Sequence, residues 1–572
     1  MAAVARPLNI LVRACAVALL GGLLSAGAEA GAAHAADSDK AKKSKTIETA
    51  AVFPGVGRLN QAVEVPKVLS DADRKLYREL FALEAAGNQA EADRLIGRLA
   101  DPILTGDLLA ARFLSSTYKT TYAELQNWLG RYADLADAPA IYKLALSKRP
   151  KGAIAPRKPL AALGGKDKVR SNAKEIACSG AANLTALDAA RDALTDGHDK
   201  EALAKAEKAA ASGQCMEAVW VSGLAAFRLK NDDLARKHFE ALAEAPGVPA
   251  ALVSASAFWA SRVHLRAGRP QFVSHWLGAA ADHPRTFYGL LAQRALGVPM
   301  GLDFEREPFT EADYEAVGDL PRVRHAVALI EAGQRARAET LLKQIGQHAA
   351  PPVRRAVVTL AESLGVVGLQ AMIERTSGRR GAWRDESAAY PVPDWAPVNG
   401  RPIDRALVFA LIKSESGFQV RAQNPTGAYG VMQLMPATAR FAAKRAGVSK
   451  VNKAALSDPE VNIALGQSYI EYLAKTPEVG GDLFRLIAAY NAGPKAVERW
   501  QKARKKGADP LMFIESLPWR ETRELIEQVV ADYWIYKLRF GHDTPSLDAV
   551  AGNKWPTYEG KREKVAVKDG KD

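Results

Sequence analysis

The sequence predicts a mainly α protein in two parts: an N-terminal α-solenoid, or superhelix, of stacked helical hairpins and a C-terminal helical domain. Three observations predict it. Aromatic residues are sparse at 7%, hydrophobic ones make up 48% of 572 residues, and alanine is abundant, a composition that favours helix. From about Asp71 to Arg375 the apolar residues recur at helical spacing, broken by short turns and not by alternating strand patterns. Within that span a turn residue is repeatedly followed by apolar positions at +5, +8 and +12. Gly87 leads to Ala92, Leu95 and Leu99; Gly268 to Val273, Trp276 and Ala280; Gly333 to Ala338, Leu341 and Ile345. A looser copy begins at Asn231, with Ala235, Phe239 and Leu242. Hairpins of this kind bury their apolar faces only by stacking on neighbours, and the irregular distance between copies predicts a degenerate solenoid.

The elements follow in order. Residues 1–36 read as a secretory signal: Arg6 and Arg13 precede an apolar core from Ala14 to Leu24 and a small-residue run, AGAEAGAAHAA. That core is far short of the roughly 20 residues a spanning helix needs, so the mature chain is expected to be exported to the periplasm with no transmembrane segment. Export leaves Cys178 and Cys215 as a pair in an oxidising compartment. A disulfide between them would close a helical hairpin; two buried thiols are the alternative. The solenoid occupies 45–377 and contains a basic run at 148–170 with eight Lys or Arg against one Asp, read as a flexible surface loop. Residues 378–402 include YPVPDWAPVNGRP, whose prolines exclude regular helix and mark a linker. A C-terminal domain follows at 403–540. The lysine-rich tail, 541–572, is expected to be disordered or loosely docked.

The chemistry concentrates in the C-terminal domain. In ALIKSESGF, residues 410–418, Asp404 caps a helix whose stripe Leu407, Val408, Leu411 and Ile412 continues to Glu415, while Lys413 points elsewhere. Ser416 and Gly417 end that helix. A carboxyl group on the buried stripe, at the negative end of a helix dipole, is expected to titrate above its ordinary range, as a general acid must. A structural glutamate paired to a basic or hydroxyl group remains the other reading of this stretch. No histidine lies between His348 and His542 and no cysteine beyond Cys215. Ser-His-Asp and Cys-His catalysis and zinc sites built on His or Cys are therefore excluded from the domain, and no phosphate-binding glycine loop is present. In LIAAYNAGP, residues 486–494, Tyr490 continues the stripe of Leu483, Leu486 and Ile487, and Gly493 and Pro494 end the helix.

Four motifs then stand in order: E-S-x-F at 415–418, G-x-M-Q-x-M-P at 430–436, A-Y-N-A-G at 489–493 and E-T-R at 521–523. Together they resemble the soluble lytic transglycosylases, cell-wall enzymes whose catalytic domain is lysozyme-like, of the goose type. AGNQAEADRLIGRLADPIL (86–104) and HPRTFYGLLAQRALG (283–297) are similar to the helical superhelix of the large members, so the resemblance covers most of the chain. It implies Glu415 as the sole catalytic acid, with Ser416, Met432, Gln433, Tyr490, Asn491 and Glu521 around the substrate. Gln433 would be a polar anchor and Met432 an adaptable apolar wall, or else core filling. Glu521 is expected as a cap or an ion-pair partner. The sequence departs from the family at Leu525, where tyrosine is usual, and at Thr426, where serine is common.

What the resemblance implies is cleavage of the β-1,4 bond between N-acetylmuramic acid and N-acetylglucosamine, with closure of a 1,6-anhydro ring and no metal or cofactor. A hydrolytic muramidase and a non-catalytic wall-binding scaffold are the competing functions. The net charge of +14 fits peptidoglycan strands, whose stem peptides carry free carboxylates. No motif points to nucleic acid; other cell-wall enzymes are the protein partners such a chain would meet.

Overall fold

The computed structural model describes residues 62–160, 181–211, 215–371, 373, 386–502 and 509–560, all within the compact unit Gly55–Asp572. The signal-like N-terminus, Cys178, the distal part of the basic run and residues 561–572 lie outside them. Among the described residues the structure is helical, with only isolated β-bridges, as the sequence predicts.

The hairpin motif is legible in atomic detail. Gly87, Gly268 and Gly333 all take left-handed φ values, between +68° and +78°, the conformation that ends one helix and turns the chain into the next. Asn231 instead caps the next helix, its side chain accepting the Leu234 N–H. In the Gly87 and Gly333 copies the +5 and +8 residues are buried and Leu99 and Ile345 at +12 are half-buried; in the Gly268 copy Trp276 and Ala280 are buried and Val273 at +5 is half-buried. A further copy begins at Gly197, also left-handed, with Ala202 and Ala209 buried at +5 and +12. The sequence pattern hid it because Lys205 stands at +8, where it pairs with Glu201 on the surface.

The hairpins do not form one uniform core. Helices Asp71–Ala86 to Thr105–Phe113 pack with Glu311–Val317 to Pro351–Ser363 in a single apolar cluster. Polar contacts cross the same seam: the Val68 and Leu69 amides donate to the Glu331 carboxylate at 3.1 and 2.7 Å, and His325 lies 2.8 Å from Asp107. The beginning and the end of the solenoid sequence are thus held together. Helices between Ala181 and Leu296 share a second core with the C-terminal residues. At its centre Phe287 stacks on Trp534, with ring centroids 5.2 Å apart, and the Tyr288 hydroxyl donates to Glu515 at 2.5 Å. Cys215, at the start of helix Met216–Arg228, is buried and disulfide-bonded.

One expectation needs correction and another is narrowed. Residues 148–160 of the basic run are not loose: Arg157 donates to the Gly130 carbonyl at 2.8 Å, Tyr122 to the Ile154 carbonyl at 2.5 Å, and the Leu160 amide to the Ala133 carbonyl at 2.9 Å. The charged side chains hid a backbone that satisfies its hydrogen bonds on a neighbouring helix. The described part of the tail is likewise docked. Helix Pro545–Ala551 buries Leu547 and Val550, Arg294 of the solenoid pairs with Asp548 at 3.0 Å and Thr544 at 2.8 Å, and Arg485 stacks on Trp555. Three apolar anchors in a polar sequence were enough to strap it down.

This strap passes over Asp482, the N-cap of helix Leu483–Ala492, through the Pro556–Leu483 and Gly481–Tyr558 backbone bonds. Burial pushes the Asp482 carboxyl up from 3.8 to about 6 against the opposing pull of its cap hydrogen bond and Arg485. A carboxyl that binds its proton more tightly when folded stabilises the fold fully below about 3.8, and that contribution is lost as pH rises through about 6. Asp482→Asn keeps a capping side chain but does not titrate. Between pH 4 and pH 7 the native chain should lose about 1–3 kcal/mol relative to that variant, read as diverging melting temperatures.

Candidate active site

Asp404 accepts the Leu407 N–H at 3.1 Å and starts helix Arg405–Glu415. From Ala406 to Ile412 every side chain of this helix is buried. It therefore runs through the core rather than along one face, and the predicted single stripe is too narrow a description. Glu415 is half-buried, less enclosed than the stripe implied. It reaches the surface because the helix surfaces at its last turn, where Lys413 and Ser414 are half-buried too. Lys413 turns to Asp532 at 2.9 Å and lies 4.4 Å from the Tyr390 ring centroid.

The turn after Glu415 is fixed by its backbone. Gly417 and Phe418 both adopt left-handed φ, +58° and +66°. For phenylalanine this costs roughly 1–3 kcal/mol, and the burial of its ring beside Trp395 and Phe409 offsets it. Ser416 is buried and its hydroxyl donates to the Ile412 carbonyl at 3.0 Å. It closes the helix end and presents no free hydroxyl to a substrate, so its predicted binding role is corrected to a structural one.

The second motif forms a tight loop, in which Tyr429 and Leu434 exchange backbone hydrogen bonds at 3.0 Å. Gly430 is required within it: a Cβ there would stand 2.1 Å from the Leu456 carbonyl oxygen and 2.3 Å from Asn462 Nδ2. Met432 is fully buried, its sulfur seated over Gly466. The apolar-wall expectation for its side chain is therefore corrected to core filling. What Met432 offers the site is its carbonyl, 2.7 Å from the Tyr490 hydroxyl that donates to it. Gln433 is half-buried with a strained φ of +45°, and its amide donates to the Gly430 carbonyl at 2.8 Å. The side-chain nitrogen is thereby tied to its own turn.

Tyr490 joins the two motifs. Burial, then the charge of Glu415, push its hydroxyl well above the ordinary tyrosine range. It stays a neutral donor, and among the described residues Glu415 is the carboxylate whose charge acts on it. Asn491 is exposed and accepts a 2.8 Å hydrogen bond from Thr522 Oγ1, so the third and fourth motifs also meet. Within E-T-R the buried members are Thr522 and Arg523; Arg523 donates to the Leu517 carbonyl at 2.7 Å, and burial with nearby Arg191 lowers it to about 10. Glu521 stands exposed in the first turn of helix Arg520–Arg539. That helix starts with no side-chain cap, so Glu521 is not the cap the sequence suggested, and no ion pair to it is present among the described residues. Leu525 packs against the core.

Sequence reasoning missed Asn462. Fully buried, it accepts the Met432 N–H at 2.9 Å and donates to the Tyr429 and Leu456 carbonyls at 3.1 and 2.9 Å. The signal was available in SDPEVN, where Asp458 caps a helix with Pro459 at its first position and a polar residue follows on the inward face. Asn462→Leu removes three hydrogen bonds and orphans buried backbone groups, so it is expected to destabilise the protein by about 2–4 kcal/mol. A fall in melting temperature accompanied by loss of activity would show it; an unchanged melt would contradict it.

Residues 398–513 match the family model described as Transglycosylase SLT domain. Over 159 residues the chain is 34% identical to the soluble lytic murein transglycosylase of Escherichia coli K12, covering 28% of this chain and 24% of that protein. Over 154 residues it is 31% identical to a putative soluble lytic murein transglycosylase of Haemophilus influenzae, covering 27% and 25%. The alignments thus span about a quarter of these relatives. Among solved structures, an inactive Glu-to-Gln mutant of the lytic transglycosylase Slt from Pseudomonas aeruginosa superposes with a TM-score of 0.54 at 21% identity, over 83% of this chain and 74% of that one. The 70 kDa soluble lytic transglycosylase of E. coli does so with a TM-score of 0.54 at 15% identity, over 83% and 98%. At these identities the likeness is one of fold, and it reaches well beyond the matched domain into the solenoid.

Proposed function

We propose that this chain, whose residues 398–513 carry the transglycosylase SLT domain, is a peptidoglycan lytic transglycosylase acting in the periplasm after removal of its signal segment. The observation that carries the reading is the cluster of Glu415, Tyr490 and the Met432 carbonyl, in which Glu415 is the carboxylate among the described residues. Glycoside hydrolysis ordinarily uses two carboxyl groups, the second to activate water or attack the sugar. A cluster with one acid suits a reaction in which the substrate supplies its own nucleophile.

The Glu415 carboxyl gives its proton to the bridging O4 of N-acetylglucosamine as the bond from muramoyl C1 to O4 breaks. The resulting carboxylate takes the proton from the muramoyl C6 hydroxyl while O6 bonds to C1. Protons balance and no water enters. Tyr490, neutral and anchored on the Met432 carbonyl, holds the wall of the site beside Glu415. Asn491, braced by Thr522, and Gln433 supply polar groups at the rim. Glu521 belongs to the same rim in this reading.

Mass spectrometry of muropeptides released from purified sacculi tests the proposal. Products ending in 1,6-anhydromuramic acid support it. Reducing muramic acid ends would replace it with a hydrolytic muramidase, and binding without release would leave a scaffold.

A further inference from the structure

From Tyr490 a row of aromatic rings leads away from Glu415. Tyr490 lies 5.9 Å from Tyr469, Tyr469 stacks on Tyr472 at 6.2 Å, and Tyr472 meets Phe441 edge-on at 4.8 Å. The row begins half-buried and ends on Phe441, which is 46% exposed. Arg445, one turn further along helix Pro436–Ala446, lies 5.0 Å from the Phe441 ring centroid and 5.1 Å from that of Tyr472. Arg440, Lys444 and Arg445 are all exposed on the same helix. Basic residues in a last turn complement the helix dipole, but that does not require an exposed phenylalanine beneath a stacked guanidinium. Rings offer faces to the C–H edges of sugars, and a stacked arginine keeps its fork of N–H donors free for a carboxylate.

We propose that Phe441, Tyr472 and Arg445 hold the stem-bearing part of the glycan strand next to the scissile bond, the rings against a sugar and Arg445 on a stem-peptide carboxylate. The proposal rests on the peptidoglycan reading above and deepens it. It is continuous with the site through Tyr469 and Tyr490, and its charge is complementary to an anionic strand.

Binding is measured in the Glu415→Gln background, so that cleavage plays no part. Sedimentation with purified sacculi is compared with glycan strands stripped of stem peptides by an amidase, the lactyl carboxylates that this hydrolysis exposes being capped as methylamides. Arg445→Glu is expected to weaken binding to sacculi about tenfold and to leave binding to stripped strands unchanged. Phe441→Ala should weaken both, and Lys200→Glu, an equal charge change on an exposed solenoid residue, should change neither by more than about twofold. Arg445→Gln, with melting temperatures for all variants, separates lost binding from lost folding. Undiminished binding by Arg445→Glu, or an equal loss on stripped strands, overturns the assignment. Because the contrast is read without catalysis, it can fail while anhydromuropeptides are still made. Conversely, failure to make them would leave the contrast standing.

Discussion

Glu415→Gln is expected to lower anhydromuropeptide release by about three orders of magnitude or more, with the melting temperature nearly unchanged. The size follows from removing a group that in the proposed mechanism serves as acid in one half of the reaction and base in the other, each proton transfer contributing roughly 10²–10⁴-fold. Gln preserves shape and can donate a hydrogen bond, but it cannot give up a proton to the bridging oxygen. Stability is spared because Glu415 sits at the half-buried last turn, beyond the buried run from Ala406 to Ile412. A fall in activity matched by a fall in melting temperature would point to the structural reading of this glutamate. Undiminished clearing in a peptidoglycan gel would mean that another group is the acid.

Tyr490→Phe is expected to reduce kcat by about 10- to 100-fold with KM within a few-fold of the parent. The ring stays, so the apolar contact with Tyr469 is kept. The hydroxyl is lost, and the Met432 carbonyl loses a donor at 2.7 Å. An unsatisfied buried carbonyl costs about 1–3 kcal/mol, and the loop from Gly430 to Gln433 can relieve it by shifting. That shift would move the wall beside Glu415, which is why the loss falls on the chemical step. Because burial and the Glu415 charge hold the Tyr490 hydroxyl well above its ordinary range, the activity of the native protein should show no alkaline decline from this tyrosine where free tyrosine begins to ionise. A kcat unchanged in the Phe variant would reduce Tyr490 to packing.

The solenoid and the helix ending in Glu415 were legible because they depend on local rules: left-handed glycines at turns, a cap at Asp404, apolar spacing. The copy at Gly197 was not, because a surface Lys205–Glu201 pair occupies a position the pattern reserves for an apolar side chain. Whether the strap docks was left open by the sequence for a related reason. Its order comes from partners hundreds of residues away, Arg294 for Asp548 and Thr544, which no window of sequence contains. Within the site the sequence located the motifs but not the direction of their side chains. Ser416 and Met432 turn inward and Glu521 outward, while the meeting of Asn491 with Thr522 and the buried Asn462 behind Met432 exist only once the loops are packed. Glu415 itself was placed on the right helix for an incomplete reason, since depth along the helix, not its face, brings the carboxyl to the surface.

The central claim is that the muramoyl C6 hydroxyl, and not water, closes the reaction at C1 under a single carboxyl group. Digestion of sacculi in water enriched in oxygen-18, followed by mass spectrometry of the first products, tests it most directly. The account predicts anhydromuramoyl ends that carry no solvent oxygen at C1. Reducing muramoyl ends carrying one labelled oxygen at C1 would contradict it.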